Sequence, residues 1–152
     1  MANWVCEVLL TESALDGAAH RAAATADVDL SAGAVVDFWG VVRELEDGRE
    51  IEGIDYEAHP AMAKHQLEQI ASAATEKFQL KKVVVHHRIG FVRAGAASLF
   101  VRVASSHRAA AFDASKWIVD ELKTRAPIWK RSRLRQGYGA ANASKQEMML
   151  RK

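Results

Sequence analysis

Between Lys123 and Arg135 the chain reads KTRAPIWKRSRLR: six bases, Lys123, Arg125, Lys130, Arg131, Arg133 and Arg135, with no acid among them. Cations crowded in this way, if partly desolvated, favour the neutral amine of a lysine over the state of a free one, whose pKa is about 10.4. Lys123 or Lys130 then gains strength as a nucleophile or proton acceptor. Charge alone equally allows a solvated basic face or a nucleic-acid patch. Pro127 and Trp129 favour chemistry, because a rigid, partly apolar loop between two lysines fixes their separation.

Ser106-His107-Arg108 is a second candidate. Placed at the start of a helix, it combines free backbone N–H groups, the positive end of the dipole and a guanidinium fork that matches phosphate oxygens. A solvated helix start is the alternative. Arg43 is a third candidate, just after a strand that ends at Val42, where side chains often point into a site. The other histidines, His20, His59, His65, His86 and His87, show no metal-ligand spacing, so no metal site is expected. Gly-x-Gly-x-x-Gly, P-loop and Gly-x-Ser-x-Gly patterns are absent, which removes the common nucleotide-binding and serine-hydrolase readings.

The elements that must position these residues follow from periodicity. Trp4 to Leu10 reads as a strand, and the alanine-rich Ala14 to Ala26 as a helix. Gly33 to Val42 has strand spacing, Asp47-Gly48 supplies a turn, and Glu50 to Ala58 returns as its hairpin partner. Pro60 opens a helix whose apolar stripe is Leu67, Ile70, Ala71, Ala74 and Phe78. Lys82 to Ile89 and Ser98 to Ala104 form a second hairpin punctuated by Gly90 and Gly95, with Leu99, Val101 and Val103 alternating with Ser98, Phe100 and Arg102. After an N-cap at Ser105-Ser106, a second helix buries Ala111, Ala114, Ile118 and Leu122 and runs to about Arg125, where Pro127 stops it. Strands joined by hairpins with helices interspersed predict an α+β domain with a mostly antiparallel sheet.

Composition agrees with one domain. The 152 residues are 49% hydrophobic and 26% charged, enough to bury a core. No apolar stretch reaches membrane-helix length and Met1-Ala2-Asn3-Trp4 lacks a basic start, so the expected compartment is the cytoplasm. The single cysteine, Cys6, is expected to be an apolar filler in the first strand. A net charge of +2 conceals two halves: residues 1 to 60 hold 13 acids and 3 bases, and residues 61 to 152 hold 6 acids and 18 bases. The halves can attract each other, or each can face a different partner.

Five segments in order carry a family resemblance: Gly33-Ala34-Val35-Val36 through Gly40-Val41-Val42-Arg43, Tyr56-Glu57-Ala58-His59-Pro60-Ala61-Met62, His87-Arg88-Ile89-Gly90, Ser105-Ser106-His107-Arg108, and Leu122-Lys123-Thr124-Arg125-Ala126-Pro127-Ile128-Trp129-Lys130. From about residue 30 to residue 131 the chain resembles the molybdopterin synthase catalytic subunit. The resemblance implies an α/β-hammerhead fold, a homodimer, and a small ubiquitin-like sulfur-carrier subunit whose Gly-Gly thiocarboxylate tail reaches into the catalytic subunit. It also implies cyclic pyranopterin monophosphate as substrate, two sulfurs delivered to make the dithiolene, and no cofactor of the enzyme's own. By position, Lys123 and Lys130 are the implied functional lysines, and Arg43, His107 and Arg108 the implied holders of the pterin or its phosphate. Val41, Val42, Arg131 and Ser132 complete the implied substrate site.

Two features depart from the family pattern. Val41 stands where a basic residue is frequent, and Ser132 where an acid often follows the second lysine. The end of the chain, expected to be a flexible tail over 136–152, carries Gly137-Tyr138-Gly139 in place of the usual aromatic and acidic residues. Other readings are a carrier-binding paralogue without turnover and a nucleic-acid module using residues 123–135. The strands lack the aromatic pattern of an RNA-recognition sheet and the acidic first half would repel phosphate.

Overall fold

The computed structural model describes residues 5–15, 17 and 29–135. Ten elements follow in chain order: β1 (Cys6–Thr11), β2 (Ala34–Val41), β3 (Leu45–Glu46), β4 (Arg49–Ala58), α1 (Pro60–Phe78), β5 (Lys82–Arg88), β6 (Gly90–Arg93), β7 (Ala97–Ser105), α2 (Arg108–Arg125) and β8 (Ile128–Leu134). They build an α+β fold around two sheets. The larger has strand order β1-β5-β7-β2, parallel only between β1 and β5. In the smaller, β4 is flanked by β3 and β6 and also pairs with β8, all antiparallel.

Helix α1 forms where its stripe predicts. Pro60 sits in the first turn, His59 Nδ1 accepts the Met62 N–H at 3.3 Å, and Gln79 closes the helix in the left-handed region at φ 54°. Its buried Leu67, Ile70, Ala71 and Ala74 meet Ala111, Ala114, Ile118 and Leu122 of α2 over Val83, Val85, Leu99, Val101 and Val103 of the larger sheet. Each large side chain fully buried here contributes roughly 1.5–3 kcal/mol. Cys6 is the partly buried filler expected, packed on this core with Sγ 3.3 Å from Thr75 Oγ1. The smaller sheet has its own core of Val42, Ile51, Ile54 and Val92. At Gly53 any side chain would strike the Val92 carbonyl oxygen, so only glycine allows β4 and β6 to approach this closely.

Several expectations are corrected. The strand before Asp47-Gly48 does not pair with the one after it: β2 pairs with β7, and the turn joins β4 to the two-residue β3. The turn chemistry was legible, with φ 52° at Asp47 and 77° at Gly48, but a β2–β7 register shift at Gly40/Val41 sends the chain off the larger sheet first. β5 and β7 do pair, yet the residues between them hold β6, a strand of the other sheet. β7 is buried on both faces, because Arg102 lies beneath a two-bond pair with Asp37, at 2.7 and 2.8 Å, and over the Phe100 ring. The cap of α2 is His107 rather than Ser105 or Ser106, and its side chain makes no capping bond. Most of Ala14 to Ala26, and all of 136–152, lie outside the described residues.

Candidate functional site

The basic run is not the loop that Pro127 and Trp129 suggested. From Ile128 to Leu134 it is the edge strand β8. Lysine and arginine are poor strand formers, and here the partner compensates: β4 comes from the acidic half of the chain and answers the bases with carboxylates. Arg133 donates to Asp55 at 2.8 and 3.2 Å and stacks 3.9 Å above the Phe91 ring, while Arg135 reaches Glu50 at 3.4 Å. Arg125 pairs with Glu121 along α2 at 3.4 Å. Three of the six bases are thereby neutralised, whereas Lys123, Lys130 and Arg131 form no ion pair with any described residue.

Strand alternation sorts the face of each. Arg131 and Arg133 lie on the outer face of the smaller sheet with Asp55 and Phe91. Lys130 lies on the inner face with Ser132 and Leu134, directly opposite Tyr56 of β4. Ser132 is buried opposite Ile54, so its hydroxyl faces the sheet interior rather than solvent.

Tyr56 links this face to the larger sheet. Its hydroxyl donates to Ser98 Oγ at 3.3 Å, and the Ser98 hydroxyl donates to the Gly40 carbonyl at 3.4 Å. Its ring meets the edge of His87 at a centroid distance of 5.3 Å. Burial raises the Tyr56 pKa above the ordinary phenol value, and burial likewise pushes the His87 imidazole below its ordinary value. His87 Nδ1 lies 2.8 Å from the Arg88 carbonyl, which only an N–H at that nitrogen satisfies.

The chain from Gly40 carries the next predicted residues. Val41 is exposed at the register shift, and Val42 is buried and clamped by hydrogen bonds to Ala96 and Gly95 at 3.0 and 2.7 Å. Arg43 projects beyond, its side chain 77% exposed with one contact to Glu46 at 3.4 Å. Because α2 follows β7 and packs back along β7 and β2, its C-terminal turn with Lys123 lies at the end of the sheet where β2 reaches Val41. Lys123, Lys130 and Val41–Arg43 therefore share one end of the fold.

His107 and Arg108 do not join them. They stand exposed at the opposite end of α2, and the fifteen residues from Arg108 to Lys123 span about 22 Å of helix. The first turn there holds no acid and receives no side-chain cap, which leaves its N–H groups open to an anion. The sequence led to an expectation of one site; within one chain these residues lie at opposite ends of α2.

Residues 10–125 match the family model described as MoaE protein. The chain belongs to the MoaE family. It is 45% identical over 105 residues to the molybdopterin synthase catalytic subunit of Pseudomonas aeruginosa, covering 69% of this chain and 70% of that protein. To the rice (subspecies indica) protein of the same name it is 42% identical over 103 residues, 68% of this chain and 53% of that one. In three dimensions it is similar to a chain of molybdopterin synthase from Staphylococcus aureus, with a TM-score of 0.74 and 30% identity over 86% of this chain and 92% of that one.

The stretch matched to the MoaE family contains Arg43, His107, Arg108 and Lys123 and ends before Lys130, Arg131 and Ser132. Tyr56, His87 and Ser98, which join the two sheets beside Lys130, were not among the sequence candidates. Their signal was weak but present: a tyrosine, a histidine and a serine within predicted strands, partly or fully buried in the fold.

Proposed function

We propose that this MoaE-family chain is the catalytic subunit of a molybdopterin synthase, a cytoplasmic sulfurtransferase. It moves sulfur from the thiocarboxylated Gly-Gly tail of a small ubiquitin-like carrier onto cyclic pyranopterin monophosphate. The observation that carries this reading is the pairing pattern of the basic run: ion pairs hold Arg125, Arg133 and Arg135, and leave the two lysine amines available at one end of the fold. An ammonium there complements a thiocarboxylate sulfur, and a primary amine can pass a proton or form a transient adduct. Exposed Val41, Leu45 and Trp129 add apolar surface for a carrier to cover.

In this reading Arg108, with His107 and the open N–H groups of α2, receives the phosphate. About 22 Å is too far for one pterin monophosphate to reach both Arg108 and Lys123 of the same chain. A second copy completes the site by presenting its α2 start to the lysines of the first, in keeping with the homodimer the resemblance implies; Phe112, exposed one turn after Arg108, offers apolar contact for that approach. The same pairing pattern weighs against a nucleic-acid face, since half of the run is already neutralised.

Mixing the protein with thiocarboxylated carrier and cyclic pyranopterin monophosphate should yield the dithiolene. Absence of dithiolene from a folded protein that binds both partners would overturn the proposal.

A further inference from the structure

Tyr56 shares a sheet face with Lys130 and is its direct partner across the β4–β8 ladder. Partners so placed have Cβ atoms about 5 Å apart, close enough for the lysine stem to lie along the phenol ring. The ring is held on two sides. His87 meets it edge-on, and its hydroxyl runs through Ser98, only 7% exposed, to the Gly40 carbonyl. That carbonyl belongs to the residue from which Val41, Val42 and Arg43 leave the larger sheet. Lys130 stands on an edge strand whose anchoring ion pairs, Arg133 to Asp55 and Arg135 to Glu50, lie toward its far end, so they fix the strand without directing the Lys130 amine.

We infer that Tyr56 is a positioning residue: anchored by Ser98 and His87, it sets the place of the Lys130 amine relative to the Val41–Arg43 segment. The inference rests on the proposed function for what that amine does, but not for where it is held. The residue opposite Lys130 on β4 is thus joined to the larger sheet by two successive hydrogen bonds, to Ser98 of β7 and from Ser98 to the Gly40 carbonyl of β2.

Two measurements test it. In the purified synthase with both substrates saturating, Tyr56→Phe keeps the ring and cuts the link, and should lower kcat roughly tenfold with KM within about twofold, as a misplaced reacting group does. Tyr56→Leu removes the wall as well and should lower kcat by about a further tenfold. Ser98→Ala should reproduce the Tyr56→Phe loss, and the double variant should lose no more than either. Normal kcat in Tyr56→Leu, or a loss that follows melting temperature across the variants, would overturn the positioning role.

The second measurement needs no turnover and so separates this inference from the function it rests on. After reductive 13C-methylation of the whole protein, the Lys130 methyl resonance should stand apart from that of exposed Lys64 in the wild type. In Tyr56→Leu it should collapse onto the Lys64 position. A Lys130 signal already coincident with Lys64 in the wild type would refute the contact.

Discussion

Arg108 and Lys123 stand fifteen residues apart on one helix, about 22 Å from each other, one at its positive start and the other in its last turn. If two copies build each site, the two residues that serve one substrate come from different chains. Arg108→Ala and Lys123→Ala should then each be inactive alone. Unfolded together and refolded at equal amounts, half of the dimers are mixed and each of these holds one intact site, so about a quarter of wild-type activity should return. No recovery, with mixed dimers shown by mass spectrometry, would place both residues in one chain's site.

Arg133 contributes to stability through its two bonds to Asp55 and its stack on Phe91, in a setting where its side chain is 49% exposed. Solvent weakens both terms, and together they should be worth roughly 1–2 kcal/mol. Arg133→Ala should lower the unfolding free energy by that amount, seen as a lower urea midpoint at an unchanged slope. Arg133→Lys should recover only part of it, because an ammonium cannot form the two-bond fork. Equal stability of Arg133→Ala and wild type would leave β8 held by its backbone ladder alone.

Helices and paired strands with strong local periodicity were legible in the sequence. The stripe of Leu67, Ile70, Ala71 and Ala74, the alternation of Leu99, Val101 and Val103, and the turn at Asp47-Gly48 all lie where the structure has them. What failed depends on partners distant in sequence. Nothing near Val41 says that β2 belongs to β7 and not to the strand eight residues on. Nothing within KTRAPIWKRSRLR says that Asp55 and Glu50 will turn it into a strand.

The sequence offered candidate site residues by type and not their geometry. Lys123, Lys130 and Arg43 do gather at one end, yet Arg108 lies beyond reach because a helix separates in space what the sequence seems to bring near. The unequal charge of the two halves held the missing clue: acid-rich β4 and base-rich β8 are neighbours.

His87 gives a pH prediction with a definite sign. Its folded pKa lies below the ordinary 6.5, because burial disfavours the imidazolium. The unfolded chain therefore binds a proton that the folded chain resists as pH falls below about 6.5. The stability His87 supplies is present above that pH and declines as the solution is acidified toward the lower folded value. Urea midpoints between pH 7.5 and 5 should fall more steeply for the wild type than for His87→Leu, whose side chain cannot titrate. Parallel curves would mean that the histidine accepts its proton in the folded state at no cost.

The two lysines admit the most direct chemical test. Neither has an ion-pair partner among the described residues, so neither amine is held as a structural cation. If both only add positive potential, arginine should serve at either position, because charge is retained and only the titratable primary amine is lost. If one is a nucleophile or a proton carrier, a guanidinium cannot replace it at neutral pH. Lys123 projects from the last turn of a packed helix, and Lys130 from an edge strand beside Tyr56. The helix is the firmer mount, and Lys123→Arg should abolish most dithiolene formation while carrier binding survives. Lys130→Arg should be impaired to a smaller degree. Single turnovers with saturating thiocarboxylated carrier separate chemistry from binding, and near-normal product from Lys123→Arg would reduce that lysine to a binding charge.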